Sequence, residues 1–138
     1  MKYRRKKIFV TQDKTKYVWC YLFDNKSDLN EYYKNSCKER GVRFAKVLGV
    51  SLHYAKWMVG DKKATNETGK VLLSKDTVGG ALVAHEFTHA CMWAFKHHLR
   101  KKQYPFVIRN GQQEEDFIRG QSVAIKMFWN WYYKIEKA

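Results

Sequence analysis

Between Thr77 and His98 the chain contains no proline, and its apolar residues recur with helical rather than alternating period. Gly79 and Gly80 weaken the first turn, but the rest reads as one long helix. In its middle lies His85-Glu86-Phe87-Thr88-His89, preceded by Val83 and Ala84 and followed by Ala90, Cys91 and Trp93. This stretch constrains the fold more than any other. A helix so apolar must be buried against other elements, and unpaired histidines or carboxylates at such a place are expensive.

The spacing gives those polar residues a chemistry. At about 100° per residue, positions four apart lie about 40° apart and one turn along, so His85 and His89 project in nearly the same direction and can reach one ion. Glu86 falls beside that direction, where a carboxylate suits a base that takes a proton from a zinc-bound water. Zinc lowers the pKa of such a water and polarises a carbonyl, so one ion would serve as nucleophile source and Lewis acid. The competing explanation is a buried helix whose histidines are satisfied by neighbouring hydrogen bonds. It fits less well because Glu86 would also need burying and pairing.

A catalytic zinc usually takes three protein ligands and keeps one position open. Phe95 stands six residues after His89, where the long zincin form has its third histidine, and His97 and His98 point about 80° to 180° away from His89. Glu114 and Glu115 are the better candidates. With Glu114 at the origin of a helical wheel, Phe117, Ile118, Gln121, Ala124, Ile125, Phe128 and Tyr132 fall within about 80° of it, so Glu114 is expected on a buried stripe. Glu115 falls toward Arg119 and Lys126 and is the alternative third ligand, its ordinary role being a solvated surface carboxylate. First-turn acids also stabilise a helix N-terminus without any metal. His53, Tyr54, Arg119 and Tyr132 are candidate stabilisers of a tetrahedral intermediate, although ordinary packing explains each of them. Trp57, Trp93, Trp129 and Trp131 are expected in the core.

The rest of the chain supplies the framework. Ile8 to Thr11 and Tyr17 to Phe23 read as strands of a hairpin, and Asp24 to Ser27 caps a helix near 27–39 that ends at Gly41. Ser51 to Val59 and Lys70 to Ser74 read as another antiparallel pair, separated by the polar loop from Gly60 to Gly69. Lys70 to Ser74 is expected to be an edge strand on which an extended peptide could pair. Pro105 and the turn Arg109-Asn110-Gly111 precede a last helix from about Gln112 to Lys134 or beyond. Strands, helix, strands and two long helices predict an α+β fold, a small antiparallel sheet packed against the motif helix and the C-terminal helix. The 138 residues are expected to form a single domain, 1–138.

Twenty-seven basic residues against thirteen acids give a formal charge of +14, which favours polyanions or an acidic partner without specifying either; nucleic acid is one candidate partner through the basic surface. Only Ile8, Phe9 and Val10 follow the basic opening, too few for an export sequence, and no apolar run is long enough to span a membrane. Cys20, Cys37 and Cys91 are odd in number and widely spaced, as expected of reduced thiols. A cytoplasmic protein without membrane association is therefore expected.

Through His85-Glu86-Phe87-Thr88-His89 and the downstream Glu114-Glu115-Asp116-Phe117-Ile118, the chain resembles the zincin metallopeptidases of the glutamate-ligand type. More narrowly it looks like the small metallopeptidase-like proteins of phages and prophages, in which a hairpin and a helix precede the motif and a paired-glutamate helix closes the domain. The resemblance implies one zinc per chain, an intracellular setting and a protein or peptide substrate, with a regulatory or nucleic-acid-associated protein as one candidate. The alternative expectation is a non-catalytic basic binding protein of a mobile element, which keeps the scaffold and contacts nucleic acid or an acidic host factor.

Overall fold

A computed structural model of the chain describes residues 2–54, 66–98 and 111–137, with no description of the side chains at 96–98. The elements in order are β1 (Tyr3–Phe9), β2 (Tyr17–Phe23), α1 (Lys26–Arg40), β3 (Val50–His53), β4 (Glu67–Ser74), α2 (Gly80–His98) and α3 (Gly111–Lys137). Among the described residues the fold is α+β, with a four-stranded sheet and three helices, the last of them long.

The strand order is β1-β2-β4-β3. β1 and β2 form the expected antiparallel hairpin, β3 and β4 are antiparallel, and β2 and β4 are parallel. The sheet is therefore mixed, which corrects the expectation of a purely antiparallel one. The connection from β2 to β4 carries α1, and a crossover of that kind permits parallel pairing. The two inner strands have the sequence such a position demands. Cys20 to Phe23 and Val71 to Ser74 are each unbroken runs of buried residues, covered on both faces. Lys70 to Ser74 thus belongs to an inner strand, and the edges are β1 and β3, a second correction.

The sheet separates two apolar clusters. On one face Ile8, Val18, Cys20, Leu22, Val71 and Leu73 pack with Val83, Phe87, Cys91 and Ala94 of α2 and with Ala124 and Phe128 of α3. On the other, Tyr21, Phe23, Leu52 and Leu72 pack with Leu29 of α1. Local sequence fixes α1 closely. The Asn25 side chain accepts from the Asp28 N–H at 2.8 Å, Gly41 takes a left-handed φ of +66°, and its N–H bonds back to Lys38 and Cys37 carbonyls.

Three expectations shift at the ends of elements. β4 begins at Glu67 rather than Lys70, so Glu67 to Gly69 of the expected loop belong to the strand. β1 begins at Tyr3 rather than Ile8, because the charged residues Arg4 to Lys7 pair along β2 while remaining exposed. β3 spans Val50–His53 and ends before Tyr54, and the expected strand from 55 to Val59, with Trp57 and most of the following loop, lies outside the described residues. So do Pro105, Arg109 and Asn110.

Candidate metal centre

The motif lies on α2 where that helix crosses the β3 edge of the sheet. Phe87 is fully buried and meets Phe128 of α3 at 5.7 Å between ring centroids, while Phe95 meets Phe117 at 5.9 Å. Residues later on α2 thus face residues earlier on α3, so the helices run antiparallel. With Phe87 turned into the core, His85 and His89 emerge on the exposed side of α2. Their Nε2 atoms lie 3.3 Å apart, with rings 4.7 Å between centroids and 82° between planes. The expected convergence of the two imidazoles is present.

Glu86 is buried at 6% exposure, and its carboxylate accepts a hydrogen bond from the backbone N–H of Ser51. Tyr54 donates its N–H to Thr68 on β4, so the alternate residues 50, 52 and 54 pair inward, and Ser51 and His53 turn their backbone groups to the edge that no described strand pairs. Glu86 therefore sits on the open side of the edge strand. Burial pushes its carboxyl above the usual carboxylate range, opposed by the charges of His85 and His89 and by the Ser51 N–H. The donor atoms of His85, Glu86 and His89 all lie within 4.8 Å of one another, a group that could bind a metal ion.

Neither acidic candidate on α3 joins this group. Glu114 and Glu115 are both exposed, and Glu115 pairs with Arg119 at 3.1 Å, the surface role described above. The expected burial of Glu114 is a correction with a clear cause. The buried line of α3 is Gly120, Ala124 and Phe128, and Gly120 packs so closely on the β1–β2 turn that an added Cβ would stand 3.0 Å from the Val10 carbonyl. Glycine has no weight on a hydrophobic wheel, so the wheel is drawn toward Ile118, which is 44% exposed, and toward Glu114. On the true axis Glu114 lies about 120° from Gly120. It is also displaced along the helix. Gln121 is the residue of α3 that donates to the Thr88 hydroxyl within the motif, and Glu114 lies two turns, about 10 Å, beyond it toward the helix start.

The other candidates separate in the same way. Arg119 is occupied with Glu115, and Tyr132 stacks on Phe128, which is ordinary packing. His53 lies near the site, stacked on Trp93 at 5.2 Å and 9°, with Nε2 3.0 Å from the Ser51 hydroxyl. The half-buried Tyr54 has its phenol pushed up to about 12 by burial, and its carbonyl accepts from the Trp93 indole N–H. The side chains of His97 and His98 lie outside the described residues. Sequence reasoning missed two contributors: the Ser51 N–H, which no side-chain pattern can announce, and Gln121, which counted only as part of a stripe.

Among the described residues no helix is long and apolar enough to cross a membrane. Comparisons with family models, with curated proteins and with solved structures return no match to this chain.

Proposed function

We propose that the chain is a zinc-dependent endopeptidase in which His85 and His89 hold the ion and Glu86 handles the proton. The observation that carries this reading is the 3.3 Å separation of the two Nε2 atoms. Two nitrogens bound at about 2.05 Å to one tetrahedral ion stand about 3.3 Å apart, so the pair needs little rearrangement to accept zinc. A mere histidine–histidine hydrogen bond would favour a shorter contact.

Bound zinc would supply Lewis acidity at a substrate carbonyl and acidify a water beside it. The remaining work falls to this chain's own groups. Glu86 would accept the proton of the attacking water and return it to the leaving amine. The Ser51 N–H fixes the carboxylate on the edge of β3, the strand edge along which an extended peptide can add by main-chain pairing. His53, two residues along the same strand with Nε2 3.0 Å from the Ser51 hydroxyl, is the residue this reading would assign to the reacting carbonyl. Neither Glu114 nor Glu115 is among the groups this reading uses.

Incubation of zinc-loaded protein with a mixed peptide library, read by mass spectrometry, tests it. Cleavage by the wild type that disappears in Glu86→Gln supports the reading. No cleavage, or equal cleavage by both, overturns it.

A further inference from the structure

Among the described residues, α1 covers only part of the sheet face opposite the metal centre. α1 packs over β2 and β4 around Tyr21, Phe23 and Leu72. Toward the β1 edge and the hairpin, the described structure leaves Arg5 and Lys7 exposed and Phe9, Tyr17 and Trp19 half-exposed. Strand register puts these residues on one surface. Lys7 lies opposite Trp19, Phe9 opposite Tyr17, and Trp19 pairs on its other side with Lys70 of β4.

Of these cations Arg5 lies over Trp19 itself, while the Lys7 and Lys70 ammonium groups lie over neighbouring rings. The Arg5 guanidinium lies 4.6 Å from the Trp19 ring centroid, and Lys7 and Lys70 flank Trp19 on the neighbouring strands. Lys7 in turn covers Tyr17 at 4.2 Å, and the Lys70 ammonium donates to the Tyr32 hydroxyl at 2.8 Å. None of the three cations forms an ion pair with a described residue. β1 and β2 contain no acidic residue, and β4 has one, Glu67, at its start.

We propose that this open half-face around Trp19 binds a single-stranded polynucleotide. Two features select that occupant from other polyanions. Cations without carboxylates suit any phosphate chain, and the formal charge of +14 adds long-range attraction. The interleaved rings of Trp19, Tyr17 and Phe9 suit unpaired bases, which stack on aromatic platforms whatever their sequence. An acidic protein or a duplex would use the cations and leave the rings idle. This surface lies on the other side of the sheet from His85 and His89, so the inference stands apart from the peptidase reading.

Fluorescence anisotropy with a short labelled oligothymidylate, measured over a salt series, tests it. Arg5→Gln with Lys7→Gln removes two exposed cations and should flatten the slope of log K against log salt by about 1.4. Trp19→Leu should weaken binding about tenfold or more with the slope unchanged, and Trp19→Phe should keep most of the affinity. Heparin, which has no bases, should bind wild type and Trp19→Leu alike. Thermal unfolding establishes that each variant is folded, and the exposed Arg5 and Lys7 pair tests the site even if Trp19→Leu does not fold. An unchanged slope in the double variant, or unchanged affinity in folded Trp19→Leu, would overturn the proposal and leave only diffuse attraction by charge.

Discussion

The Glu86 carboxylate on α2 accepts the backbone N–H of Ser51 on the free side of β3. One hydrogen bond thus joins the motif helix to the edge of the sheet. Glutamine can accept the same hydrogen bond, so Glu86→Gln should keep the fold and the metal. Its peptide hydrolysis should fall by about a hundredfold or more, measured as kcat/KM on whichever library peptide the wild type cleaves.

Glu114 and Glu115 should be dispensable for metal binding. Both carboxylates are exposed and lie outside the group formed by His85, Glu86 and His89. Glu114→Ala and Glu115→Ala should therefore retain wild-type metal content, and Glu115→Ala should alter stability by less than about 1 kcal/mol through loss of its exposed pair with Arg119. Loss of metal in Glu114→Ala would show that α3 rearranges when the ion binds.

The contrast between those glutamates and the histidines shows which parts of the site the sequence carries. His85, Glu86 and His89 are legible because they share one helix, whose period alone determines their directions. Glu114 depends on how a second helix is rotated, and that rotation is set at Gly120 by close approach to the backbone of Val10 and Thr11. A residue without a side chain leaves no hydrophobic signal there. Strand identity was legible for β2 from its aromatic and β-branched run and for β4 from its short apolar run at Val71 to Leu73, but their neighbours were not. Pairing partners are chosen by the crossover through α1 and by burial on both faces, and a local pattern of Lys70 to Ser74 does not distinguish an inner strand from an edge.

Packing at the α2–α3 seam should be unforgiving. Phe128 is fully buried against Phe87, Trp129, Trp131 and Tyr132. Phe128→Ala should lower unfolding free energy by about 3–5 kcal/mol in chemical denaturation. Gly120→Val should also destabilise, because its side chain would press on the Val10 carbonyl and the Thr11 backbone.

The buried thiols give a pH dependence of definite sign. Burial pushes the Cys91 thiol up to about 12 and raises that of Cys20 further, both from an ordinary value of 9.0. Each folded-state pKa lies above its unfolded value, so this stabilisation is fully present below pH 9 and is lost as pH rises toward the folded value. Above pH 9 each thiol should reduce stability by about 1.4 kcal/mol per pH unit, and Cys91→Ala should flatten the decline seen in denaturant titrations between pH 9 and 11. At pH 8 both thiols should react with a disulfide reagent only after unfolding.

Equilibrium dialysis against zinc, followed by metal analysis of the protein, bears most directly on the paired imidazoles. The wild type should retain close to one zinc per chain, and His85→Ala and His89→Ala, verified as folded, should each lose it. Wild-type protein that retains no more zinc than either variant would contradict the account.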